Sequence, residues 1–202
     1  MKRKNILKLI ISLALALCIT LAVAIIPFEQ KCEGIRQSVF RLHILANSDS
    51  SEDQELKLAV RDAVLGMANE LFANAETEEQ AKAIAGENIE LLTLKAEQTL
   101  RNLGCNDSVS VSVGKAWFGT REYQDFTLPA GEYDALKIVI GEGEGKNWWC
   151  VMFPAVCVPA AKGDIEDALD QDQAEIVKGG PKYKPAFKIV EIFESIKRFF
   201  KK

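Results

Sequence analysis

One histidine, His43, has to serve all 202 residues. A metal centre built from two or three imidazoles therefore has no ligands to draw on. A hydrolase triad would need His43 beside a nucleophile and an orienting acid that only the fold could bring together. Positive charge is scarce too, with 25 Lys and Arg against 29 Asp and Glu, a net charge of −4. Residues 1–26 hold four of those bases, Lys2, Arg3, Lys4 and Lys8. Without them about 21 bases face 29 acids, roughly −8. Such a balance argues against nucleic acid as a partner, because a face that neutralises phosphates must be basic. No internal period marks a repeat architecture.

What the chain does have begins at its N-terminus. Lys2-Arg3-Lys4 precede an apolar run from Leu9 to Phe28, interrupted only by Ser12 and Thr20. That is about the ~20 residues of a membrane helix. It is also the layout of a secretory signal, with Ala22-Val23-Ala24 as a cleavage site. Either way the basic flank stays cytoplasmic and the remaining chain is exported. Leu15-Ala16-Leu17-Cys18 is no lipobox, since Leu17 stands where a small residue is required. Cys32, Cys105, Cys150 and Cys157 follow, an even number that an oxidising compartment could pair.

Residues 29–36 are polar and contain glycine, and read as a linker. In Val39–Leu45, Phe40, Leu42 and Ile44 would face a core while Arg41 and His43 point outward. Asn47-Ser48-Asp49-Ser50-Ser51 is a turn, and Ser51 with Gln54 fits a capping box. A helix with Leu56, Val60, Val64, Met67 and Leu71 on one face follows. Thr77 with Gln80 opens a second helix, through Ile84, Leu92 and Leu100 to a stop at Gly104. The period then becomes two. Ser108–Val113 alternates strictly, Arg121–Thr127 is a weaker strand, Leu128–Gly131 a turn, Tyr133–Ile140 a strand, and Trp148–Phe153 another. The expected fold is α+β, an antiparallel meander covered on one face by two helices. An N-terminal membrane or signal helix and a C-terminal amphipathic helix flank it. The expected division is 1–28 signal or anchor, 29–36 linker, 37–159 extracytoplasmic domain, 160–181 connector with a short helix, and 182–202 tail helix.

The tail is basic, with an apolar stripe at helical spacing that includes Phe187, Val190, Phe193 and Ile196. Such a helix suits an anionic membrane surface, through Lys188, Lys197, Arg198, Phe199 and Phe200, and equally suits docking on its own domain. The stretch Gly141-Glu142-Gly143-Glu144-Gly145-Lys146-Asn147 invites a phosphate-loop reading and fails it. Only three residues separate Gly141 from Gly145, Asn147 follows Lys146 where Ser or Thr belongs, and a strand comes next instead of a helix. It reads as a turn between two strands. Trp148 and Trp149 are adjacent and so face opposite sides of a strand, as core residues or as a partner anchor. Cys150 and Cys157 could close a small disulfide loop or stay as two buried thiols, and they are poor zinc ligands without two more. Asp53, Glu55 and Asp62 are simplest as solvent-facing helix charges. No cofactor or small-molecule substrate is implied.

Two long segments resemble one family. Phe40-Arg41-Leu42-His43-Ile44-Leu45-Ala46-Asn47-Ser48-Asp49, with Asp53-Gln54, Leu56-Lys57 and Val60-Arg61-Asp62, is similar to the first signature of the stage II sporulation protein R family. Pro129-Ala130-Gly131-Glu132-Tyr133, Ala135-Leu136, the spaced glycines and Asn147–Pro154 are similar to its second. The resemblance implies a non-enzymatic signal of endospore formers. It would be secreted or membrane-anchored in the space between the forespore and mother-cell membranes. There it would activate a membrane-embedded aspartic-type sporulation protease that cleaves pro-sigma-E. The motif does not mark the interface. His43, Asn47, Ser48 and Asp49, at a strand-to-helix corner, and Trp148 and Trp149 are the candidate partner contacts. A secreted hydrolase using His43, or a structural envelope protein, is the alternative.

Overall fold

The computed structural model describes residues 3–156 and 164–201. In chain order it has α1 (Arg3–Gln37), β1 (Phe40–Leu45), α2 (Ser51–Leu71), α3 (Glu78–Glu87) and α4 (Ile89–Asn102). Then come β2 (Val109–Phe118), the short β3 (Arg121–Glu122) and β4 (Thr127–Leu128), β5 (Gly131–Ile140) and β6 (Asn147–Phe153). The chain closes with α5 (Gln171–Lys178) and α6 (Lys184–Lys201). The α+β class holds, but the meander does not. The main sheet runs β2-β5-β1-β6, with β1 parallel to β5 and the other two pairings antiparallel. Strand β1 inserts between β5 and β6, so the glycine stretch joins two strands that never pair with each other.

Burial explains that insertion. Arg41 and His43 were expected to point outward, yet Arg41 is fully buried and His43 only 9% exposed, so β1 is covered on both faces. On the first face, Phe40, Leu42, Ile44, Leu136 and Ile138 meet Val60 and Val64 of α2 and Leu92 and Leu100 of α4. Three helices lie there instead of two, because the second helix breaks at Asn88, which closes α3 and opens α4. On the second face, Tyr133, Ala135 and Val151 meet Cys32 and Ile35 of α1, Val177 of α5, and Phe187 and Val190 of α6. The sheet is therefore covered on two faces, not one. The stretch expected as a linker, 29–36, forms late turns of α1, where Phe28, Cys32 and Ile35 recur at helical spacing and enter this second core.

Local signals set the helix starts. Ser50, rather than Ser51, caps α2 by accepting from the Asp53 N–H at 3.1 Å. Thr77 caps α3 by accepting from the Gln80 N–H at 3.3 Å. Each supplies an acceptor to an otherwise orphaned donor. Along α1, Leu13, Leu15, Leu17 and Val23 stand exposed, while Phe28 stacks on Tyr183 at 6.0 Å. Among the described residues no helix is long and apolar enough to cross a membrane. The membrane or signal role of α1 thus stays an expectation. Cys150 is disulfide-bonded, Cys32 and Cys105 are free thiols, and Cys157 lies outside the described residues.

Glu78, in the first turn of α3, is buried beside Asp134, which already pairs with Lys82 at 2.8 Å and Lys115 at 2.7 Å. Burial, and then the Asp134 carboxylate, push the Glu78 carboxyl from 4.5 up to about 7. The folded chain holds this proton more tightly than the unfolded one. The stability tied to it is present below pH 4.5 and is lost as pH rises through about 7. Glu78→Gln should therefore flatten the decline of the thermal midpoint between about pH 5 and about pH 8, and equal slopes in parent and variant would refute the assignment.

Candidate functional site

The polar corner after β1 is occupied by the fold itself. Asn47 Oδ1 accepts from the Glu142 N–H at 3.0 Å and Asp49 Oδ1 from the Lys146 N–H at 2.7 Å. The N–H groups of Glu144 and Gly145 donate to the Asn47 and Ala46 carbonyls at 3.1 and 2.9 Å. From α2, Lys57 Nζ donates to the Lys146 carbonyl at 2.9 Å, and Gln54 Nε2 to the Ser48 carbonyl at 2.8 Å. Ser48 and Asn47 both donate to Asp53, which holds that carboxyl below its usual range. The glycine stretch is thus an arch over the end of β1, bonded to the corner at four points. Its glycines are needed for close approach. A Cβ on Gly145 would overlap the Ser48 carbonyl oxygen, and one on Gly141, at φ +56°, would overlap Asn47 Oδ1.

His43 and Trp149 belong to a different place. They stack on the second face with centroids 3.8 Å apart and planes 14° off parallel. His43 Nε2 lies 2.6 Å from Asn147 Oδ1, so the imidazole is held by an amide rather than by a nucleophile or an acid. Burial lowers the His43 pKa, the Asn147 bond opposes this, and Lys137 and Arg41 lower it further, so the ring is neutral at pH 7. Below it the Arg41 guanidinium lies 4.0 Å from the Phe118 ring centroid and 4.8 Å from that of Tyr133. It also donates to the Tyr123 hydroxyl. Aromatic faces thus receive a charge that the sheet has buried.

From this stack a cleft of about 620 Å³ runs across the sheet to the β2 end of α6. Four cations line it, Lys115, Arg121, Lys137 and Arg198, against the single carboxylate of Glu191. Lys115 is paired with Asp134, whereas Arg121 lies 5.7 Å from the Trp149 ring and Arg198 lies 5.0 Å from that of Trp117. The buried Trp117 indole N–H and Thr120 hydroxyl, both in its wall, have no hydrogen-bond partner among the described residues. Cations, free donors and two indoles suit an acidic or aromatic side chain from outside. Among the described residues no group of His, Cys, Asp or Glu could hold a metal ion.

The model of the family described as stage II sporulation protein R matches residues 36–162, more than half of the chain. The chain belongs to that family. It is 40% identical over 123 residues to the stage II sporulation protein R of Bacillus subtilis (strain 168). That alignment covers 61% of this chain and 55% of the relative, so the chain spans about half the length of the protein it matches. No solved structure matches it. The stage II sporulation protein R segment includes β1 to β6 but neither most of α1 nor α5 and α6.

The expected contacts therefore separate. Asn47, Ser48 and Asp49 meet the glycine arch, Trp148 packs against the first core with Arg61 4.4 Å over its ring, and only His43 and Trp149 reach the cleft. Of the tail residues, Lys188 pairs with Glu191 at 3.3 Å and Lys197 with Glu194 at 2.6 Å. Arg198 enters the cleft, while Phe199 and Phe200 stand exposed. Arg121, Lys137, Trp117 and Thr120 were missed, because nothing in their spacing shows that four separate elements converge. Filling the arch tests the corner. Gly145→Ala should lower unfolding stability by about 1–3 kcal/mol in a denaturant titration, the cost of overpacking, and an unchanged midpoint would contradict the close approach.

Proposed function

We propose that this chain is an exported sporulation signal that activates a membrane-embedded aspartic-type protease, which then cleaves pro-sigma-E. It acts from the space between the forespore and mother-cell membranes, as a ligand and not as a catalyst. Membership of the stage II sporulation protein R family is the observation that carries this reading. The basic start followed by the apolar run 9–28 supports export or anchoring. The exposed Phe199 and Phe200 of α6 support a membrane surface close by. The amide partner of His43 favours a ligand over a hydrolase, since among the described residues the imidazole is hydrogen-bonded to Asn147 and to no nucleophile. The cleft, where Arg121, Lys137 and Arg198 form no ion pair among the described residues, is the surface offered to the protease.

Reconstitution tests the reading. Membranes carrying the protease and the sigma precursor should process the precursor only when the purified chain is added, and no processing would overturn the proposal. Reversing two cleft charges, Arg121→Glu with Arg198→Glu, should lower processing by about tenfold as an interface charge reversal does. The stability of that variant should stay within about 0.5 kcal/mol of the parent, as is usual for surface positions. Full processing by the variant would remove the cleft from the interface.

A further inference from the structure

Strand β2 ends the sheet, with β5 on one side and, among the described residues, no strand on the other. Which of its backbone groups are free follows from one bond. The Gly141 N–H donates to the Ser108 carbonyl at 2.8 Å, just beyond the Val109↔Ile140 pair of the ladder. Antiparallel pairs alternate, so Ser110, Ser112, Gly114 and Ala116 bond to β5. Val109, Val111, Val113, Lys115 and Trp117 then turn their N–H and C=O groups outward. No other described segment bonds to them. The strand has ten residues, no proline, and one charge, Lys115. Native edges are usually blunted by prolines, charges or a covering element; here Lys115 alone does so, and its ammonium is held by Asp134.

We propose that the free edge of β2 takes up an extended segment of the partner as an added strand, one alternating apolar and acidic residues. The two faces of the sheet dictate that alternation. On one side the added strand would lie beside Val109, Val111 and Val113, which pack partly buried against the first core. Apolar side chains there extend that core. On the other side it would lie beside Ser110, Ser112 and Ala116, of which Ala116 lines the cleft and Ser112 pairs with Lys137, one of the cleft's four cations. Acidic side chains complement that face. A second copy of β2 would bring serines and more cations to the same cleft and would leave its charge unbalanced. Main-chain bonds supply affinity in such pairing and the alternate side chains supply selectivity.

This inference takes only the existence of a protein partner from the proposed function, and it can be read without any signalling assay. The full chain would be followed by amide hydrogen exchange at single-residue resolution. The probe is a blocked decapeptide that alternates valine or threonine with glutamate, and its control carries lysine in place of glutamate. The glutamate peptide should slow exchange at Val109, Val111, Val113 and Lys115 by about tenfold or more, while the amides already bonded to β5 stay as they were. Val113→Pro removes an outward N–H without touching the β5 ladder and should abolish the slowing. The parent titration stands alone should that variant fail to fold. No slowing, equal slowing by the lysine peptide, or slowing that grows with protein concentration alone would overturn the proposal, the last by assigning the edge to a second copy. Processing in the reconstituted system with an inert edge would leave the signalling role standing, and a working edge without processing would do the reverse.

Discussion

The architecture depends on β1 being buried on both faces. A strand covered on one side only could have sat at an edge of a meander, joined to its neighbours by short turns. Because Phe40, Leu42 and Ile44 face one core and Arg41 and His43 the other, β1 must be central. Its pairing with β5 is parallel, and parallel strands need a long crossover. Helices α2, α3 and α4 with β2 supply it. The glycine arch follows from the same constraint. With β1 between β5 and β6, the chain from one to the other has to pass over the β1 end, close to Ala46, Asn47 and Ser48.

The buried Arg41 shows how the second face tolerates a charge. An isolated guanidinium in an apolar interior is costly, and removing a partner from such a group is worse than never having buried it. Two aromatic faces, the Tyr123 hydroxyl and the Cys150 carbonyl meet it here, and its Nη1 has no partner among the described residues. These residues also support the wall beneath the His43–Trp149 stack, since Phe118 lies 4.7 Å from Trp149 and 6.2 Å from His43. Packing under the cleft and the chemistry at its mouth are thus one structure.

Much of the fold could be read from residue order. The alternation of Ser108–Val113, the caps at Thr77 and near Ser50, the stripe of α2, and the opposite placement of Trp148 and Trp149 all have local causes, so local pattern was sufficient. The parallel pairing, the second core and the late turns of α1 have no local signature. Arg41 and His43 look solvent-facing by polarity, and a short polar stretch holding Cys32 and Ile35 looks like a linker until α5 and α6 come to lie against it. Polarity alone does not tell an exposed position from one covered by a distant segment.

The same distinction bears on where a partner is met. The longest polar motif, Asn47-Ser48-Asp49 with Asp53, Gln54 and Lys57, spends its hydrogen bonds on the arch and on its own helix, so little of it is left for another protein. The groups still unspent are elsewhere. Among the described residues they include the indole and hydroxyl of Trp117 and Thr120, the guanidinium of Arg121, and the outward backbone of β2, none of which forms a motif. A motif that is polar and long identifies the fold that needs it. An interface is identified by what the fold leaves unsatisfied, and several of those groups gather where β2, the turn after it and α6 meet.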